Sequence, residues 1–300
     1  MKLPENIKII EIGPRDGLQN EATFLETKNK IELIKQLVEC GFKEIEATSF
    51  VHPRAIPNLA DAEEVIDGIR EQSATFFALV PNEKGYERAI KIGIHGITFV
   101  LSATDSHSKK NLNRSTKDSI KELSSLVEHC QKDNRLYRAS VSTVFGCPFE
   151  GQTEFGRIAG IVESLAKIGF KRVGLCDTIG VANPSQVYQW MTKLTNEFKQ
   201  LEFELHFHDT YGRGLANVLA GIQAGVFSFD SSIGGLGGCP YAPGATGNIS
   251  TEDVVDLLEE MKINTGIDKR KLLNTSHTLE GFIHKQLNSQ IWKVNKSKCL

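Results

Sequence analysis

The 300-residue chain sets 35 lysines and arginines against 37 aspartates and glutamates, a net charge of −2, and is 40% hydrophobic. With no basic tract beyond short pairs such as Lys109-Lys110, that balance leaves no electrostatic footprint for nucleic acid. No apolar run approaches the roughly 20 residues that cross a bilayer, and the N-terminus passes almost directly into the strand-like IKIIEI, so the expectation is a cytoplasmic protein with a small-molecule partner and no membrane.

In chain order, the β-rich stretches fall near residues 7–12, 43–48, 74–80, 96–101, 137–144, 171–176, 203–208 and 227–231. Amphipathic segments separate them, and several end on a glycine that feeds the next strand, as in ECGFKEIEAT, KIGIHGITFV, KIGFKRVGLC and QAGVFSFDSS. Ile31, Ile34, Leu37 and Val38 share one helical face, as do Phe155, Ile158, Val162 and Leu165, so these helices cover a sheet. Strand–helix alternation without a composition break predicts an α/β fold, a closed (β/α)8 TIM barrel over residues 1–263. A last barrel helix is expected at about 251–262 with Ser250 as N-cap, followed by a short C-terminal helical extension and polar tail over 264–300. The cysteines, Cys40, Cys130, Cys147, Cys176, Cys239 and Cys299, form no C-x-x-C pair, which argues for reduced thiols rather than disulfides or structural zinc.

Candidate chemistry gathers at the predicted C-terminal ends of the strands, where barrel enzymes keep their active sites. His206 and His208, spaced i, i+2 in ELHFHDTYGRG, point to one face of a strand while Leu205 and Phe207 point to the other. They read as metal ligands or as a hydrogen-bonded core pair. Arg15 and Asp16 follow the first strand and form either a turn salt bridge or, beside the histidines, an oxygen ligand with a fixed positive charge. Glu46 and Asp177 are expected at the ends of strands two and six, as active-site or ordinary surface carboxylates. Asn248 closes the stretch SSIGGLGGCPYAPGATGN, as a turn former or a fourth ligand.

Asp, two His and Asn form a mixed nitrogen and oxygen set that suits Mg²⁺ or Mn²⁺. Such a cation would acidify a chelated hydroxyl and favour carbon–carbon cleavage; Arg15 would receive the enolate, and Cys239, on a glycine-rich closing loop, would donate a proton or be an incidental thiol in a tight turn.

Taken together, GPRDGLQNE, EATSFVHP, GCPFEG, CDTIGVANP, HFHDTYGRGLAN and GGLGGCPYAPGATGN closely resemble the 3-hydroxy-3-methylglutaryl-CoA lyase family, over about residues 7–262. The resemblance implies a carbon–carbon lyase that converts this thioester to acetoacetate and acetyl-CoA. It implies a divalent cation, Mg²⁺ or Mn²⁺, on Asp16, His206, His208 and Asn248, with Arg15, Glu46, Asp177, His206 and Cys239 as catalytic residues. Arg15 would stabilise the thioester enolate and Cys239 would be the lid acid. An acyl-CoA partner and a homodimer are expected. A lyase for a longer 3-hydroxyacyl-CoA stays open, as does a condensing enzyme of the homocitrate or isopropylmalate synthase kind, although those lack the cysteine-bearing loop. Lys109, Lys110 and Arg114 would meet the CoA phosphates or belong to a solvated basic loop.

Overall fold

In a computed structural model, residues 3–238 and 247–296 are described; Cys239 and Cys299 lie outside them. Strands β1 (Lys8–Glu11), β2 (Glu44–Ser49), β3 (Thr75–Val80), β4 (Gly96–Ser102), β5 (Leu136–Ser142), β6 (Arg172–Asp177), β7 (Glu202–Phe207) and β8 (Ser228–Ser231) run parallel in sequence order. The sheet closes where β1 pairs with β8, Lys8 opposite Ser228 through Glu11 opposite Ser231. The eight expected strands are all present, and the fold is the (β/α)8 barrel. Closure sets Asp16, after β1, beside the β7 histidines.

Helices α1 (Thr27–Glu39), α2 (Ala62–Ile69), α3 (Glu83–Ile92), α4 (Asp105–Leu112) and α5 (Thr116–Lys132) join the first five strands. Helices α6 (Phe155–Lys167), α7 (Pro184–Glu197), α8 (Gly214–Gln223) and α9 (Thr251–Glu260) follow β5 to β8. Gly41, Gly93, Gly169 and Gly225, read as helix stops, all have positive φ, between 82° and 109°. Gly41 has no alternative, because a Cβ there would sit 2.3 Å from the carbonyl oxygen of Gly266. Ser250 caps α9 by accepting a hydrogen bond from the Asp253 amide.

Outward strand residues such as Ile45, Phe76, Ile97, Phe99, Leu175 and Phe229 are buried against the helices. The inward positions are unusual. Where a barrel of this type commonly stacks branched aliphatics, β2, β5, β6, β7 and β8 present Glu46, Arg138, Arg172, Glu204 and Asp230, linked by ion pairs. Paired charges are tolerated there because each finds an opposite charge and hydrogen bonds in place of water. In α1, Lys30 is buried and binds Asp61 and the Asn58 carbonyl; the apolar spacing of this helix hides that polar anchor.

Beyond α9, helices α10 (Lys269–Ile283) and α11 (Gln290–Asn295) form the C-terminal extension and pack on α1 and α9. Trp292 is fully buried, and its indole N–H donates to Glu280 across 2.9 Å. Trp292→Ala should therefore lower stability by about 3–5 kcal/mol, the usual cost of emptying an aromatic site. Urea titration measures this, and a loss under about 1 kcal/mol would show that the extension is not integral to the barrel's stability.

Candidate active site

Asp16 closes on the histidines because the turn after β1 winds tightly. Gly13–Gly17 forms a single π-helical turn with Pro14 at its start, and its amides at Asp16 and Gly17 both reach back to the Ile12 carbonyl. Glu11, fully buried, ties this turn to β8 by accepting from the amides of Gly13 (2.7 Å) and Ile233 (2.9 Å) and from the Thr251 hydroxyl (2.7 Å). Burial raises the Glu11 carboxyl to about 8 against those lowering hydrogen bonds.

One ligand atom from each of Asp16, His206 and His208 falls within a 4.8 Å cluster. Asn248 joins them through the chain: its backbone bridges antiparallel to His208, and its amide N–H donates to Asp16 Oδ2 at 2.7 Å and to the Leu236 carbonyl at 3.0 Å. The amide oxygen Oδ1 is buried and without a partner among the described residues, and so is His208 Nδ1. A buried amide oxygen and a buried imidazole nitrogen left without partners beside a carboxylate are what a divalent cation would satisfy, so the set fits such a metal. Cys176, which lines the same cavity, is pushed up to about 12 by burial, so it stays a thiol and is a poor ligand.

The electrostatics keep the group ready to ligate. Burial pushes Asp16 up, but the Arg15 charge, the neighbouring imidazoles and the Asn248 hydrogen bond outweigh it and hold the carboxyl far below its usual range. Burial, with His206 beside it, pushes His208 down to about 4, leaving a neutral imidazole. Arg15 is fixed between Asp16 and Glu46.

Glu46 does not end its strand as expected. It sits in mid-β2, just before a register shift between Glu46 and Thr48, and its fully buried carboxylate points into the barrel. Asp177 ends β6 and is also fully buried, so neither is a surface carboxylate. Asp177 turns toward its own loop, accepting from the amides of Val181 (2.9 Å) and Ala182 (3.0 Å), and burial raises it to about 6. Arg15, Asp16, His206 and His208 line a cavity of about 430 Å³ floored by Cys176 and Ser140. A larger recess of about 750 Å³, beside Lys8, Phe42 and Phe227 at the opposite end of the barrel, is lined by none of the candidate residues among those described.

Arg114 is engaged by Glu122 and the Pro81 carbonyl. Lys109 and Lys110 sit exposed on α4. Sequence reasoning missed Arg138, Asp230 and His107. The first two hold inward strand positions, and a charge at inward parity, as in YRASVS and SFDSS, is the signal that was there to read. His107 lines the cavity with Nδ1 2.7 Å from the Ser102 hydroxyl, and no motif marks it.

Residues 6–279 match the HMGL-like family. The chain belongs to the HMGL-like family. It is 45% identical to the hydroxymethylglutaryl-CoA lyase YngG of Bacillus subtilis over 298 residues, 99% of this chain and 100% of the relative. The solved B. subtilis HMG-CoA lyase superposes with a TM-score of 0.96 over 99% of this chain and 100% of that one. A Pseudomonas aeruginosa 3-hydroxy-3-isohexenylglutaryl-CoA/hydroxy-methylglutaryl-CoA lyase is 38% identical over 99% of this chain and 100% of its own. An A. baumannii HMG-CoA lyase solved with coenzyme A and 3-methylmalate is 41% identical, with a TM-score of 0.92 over 99% and 97% of the two chains. This family member thus carries the lyase-like motifs on the lyase fold.

If the unpartnered atoms are cation ligands, Mn²⁺ should raise the melting temperature of the unsubstituted protein, because a ligand that binds only the folded state stabilises it. In His208→Ala the rise should fall away and Mn²⁺ affinity should drop at least about tenfold. Equal affinity by calorimetry would remove His208 from the site.

Proposed function

We propose that the protein cleaves the C2–C3 bond of 3-hydroxy-3-methylglutaryl-CoA, releasing acetoacetate and acetyl-CoA. The observation that carries this reading is the presence, in one cavity, of Arg15 beside Asp16, His206 and His208, with Asn248 hydrogen-bonded to Asp16, and with Asn248 Oδ1 and His208 Nδ1 unpartnered among the described residues. Those four residues would hold Mg²⁺ or Mn²⁺, which when bound supplies a Lewis acid that lowers the pKa of a chelated substrate hydroxyl.

The chain's own groups account for the rest. Removing the C3 hydroxyl proton lets the new carbonyl form as the C2–C3 electron pair leaves into the thioester, whose oxygen becomes an enolate oxygen. Arg15 meets that charge with a guanidinium already oriented by Glu46 and Asp16, so little reorganisation is spent at the moment of reaction. Cys239 returns a proton to C2; that assignment rests on its motif. Asp177 and His206 are the two candidates for the hydroxyl proton: Asp177 for a carboxyl raised to about 6, near a working base, and His206 for its place in the cavity wall. The proposal extends, on sequence resemblance, to a homodimer in the cytoplasm. The name of the P. aeruginosa relative makes a branched homologue of the substrate the competing thioester to test.

Incubating the purified protein and Mg²⁺ with a panel of 3-hydroxyacyl-CoA thioesters should yield acetyl-CoA and acetoacetate from the 3-methyl substrate, read by mass spectrometry. Condensation from acetyl-CoA, with no cleavage, would overturn the lyase reading. Arg15→Met keeps bulk and removes charge; kcat should fall on the order of 10²–10³, whereas a rise in KM alone would make Arg15 a binding residue. Cys239→Ser, measured in a Cys299→Ala background, should lose on the order of 10² in kcat with metal affinity unchanged. If Asp177 is the base, it must be ionised to act, so kcat/KM should climb as pH rises through about 6, and Asp177→Asn should abolish that limb.

A further inference from the structure

We propose that Arg138 and Asp230 are positioning residues for the cleavage reaction: one buried guanidinium, through two carboxylates, sets the places of Arg15 and His206. The inference rests on the functional reading above.

Arg138 rises from β5 into the middle of the barrel and is 2% exposed. Its Nη2 donates to Glu46 Oε2 at 2.7 Å; its Nη1 donates to Glu204 Oε2 at 2.9 Å and Asp230 Oδ1 at 3.1 Å; its Nε donates to Thr98 Oγ1 at 3.0 Å. Each carboxylate gives Arg138 one oxygen and a second nitrogen partner the other. Glu46 Oε1 accepts from Arg15, Glu204 Oε1 accepts from Arg172, and Asp230 Oδ2 lies 3.5 Å from His206 Nδ1. Cys176, His206 and Asp230 stand level across β6, β7 and β8, so the ionic layer reaches the cavity floor directly.

The geometry requires a planar fork, because a lysine ammonium at the end of a flexible stem cannot address three carboxylates on three strands at fixed angles. It also has a direction. An ion cluster that only filled space would not need to turn the outer oxygens of Glu46 and Asp230 toward Arg15 and His206, two groups that line the cavity. A carboxylate behind a ligating histidine fixes its tautomer and ring orientation and raises its basicity. Asp230 takes His206 Nδ1, which leaves the other ring nitrogen for the cavity.

Asp230→Asn tests this with little change in volume: its amide oxygen can still accept from Arg138, while the NH₂ cannot accept from His206. The expected result is a kcat lower by about 10- to 100-fold, a KM within about twofold, and Mn²⁺ affinity weaker by about tenfold or more. Arg138→Lys should lower kcat to a similar degree, and in the double variant the losses should fall short of their product, because the two changes share the path through Asp230 to His206. Unchanged kcat and Mn²⁺ affinity in Asp230→Asn would overturn the proposal even if Arg138→Lys fails to fold, and so would a loss confined to KM. No turnover by the unsubstituted protein would overturn the functional reading instead, while the Mn²⁺ comparison would still decide the role of Asp230.

Discussion

Charge inside the barrel has to be paired, and this requirement binds the interior strands to one another. Arg138, Glu46, Glu204 and Asp230 come from β5, β2, β7 and β8, and all are nine-tenths buried or more. Deleting one partner of such a set strands a charge away from water, at about 3–5 kcal/mol, so the strands that carry them are held to one register and one closure. Aliphatic layers would stabilise a barrel as well or better, but they would not hold oriented charges under its mouth.

That interior explains the state of the site above it. Arg15 reaches the cavity with two carboxylates already on it, and His206 comes with Asp230 behind one ring nitrogen. The turn at Gly13–Gly17 and the bridge between His208 and Asn248 bring candidate ligands from three separate chain segments to one point. Burial opposes the charged form of both neighbours: Asp16 stays ionised because Arg15 beside it outweighs that cost, whereas His208 stays neutral because burial, with His206 and Arg15 nearby, outweighs the pull of Asp16 on its proton. The result is a preorganised set of polar groups, two of whose buried atoms have no partner among the described residues.

The periphery obeys a simpler rule. Helices bury one apolar stripe against the outward faces of the strands, and the extension after α9 adds a further buried stripe through Leu272, Leu279 and Trp292. Polar anchors recur where this packing meets loops, as at Lys30 with Asp61, or Ser276 with Glu252. Such groups follow no period along the chain, and so the apolar spacing that revealed the helices did not reveal them.

Eight strands, their parallel order, the helix stops at Gly41, Gly93, Gly169 and Gly225, and the cap at Ser250 were all legible in the sequence, because each depends on contacts a few residues apart or on a period of 2 or 3.6. The candidate ligands were legible too, since barrel closure dictates that residues following β1, β7 and β8 must meet. What the linear chain left open was the setting of each side chain: whether Glu46 and Asp177 are surface groups or buried ones, and which charges each of them meets. Those answers depend on what lies opposite, such as Arg138 across the barrel from Glu46, 92 residues apart along the chain. Periodicity assigns a residue to a face, whereas burial, ion pairing and the loss of a hydrogen-bond partner exist only once that face has met another.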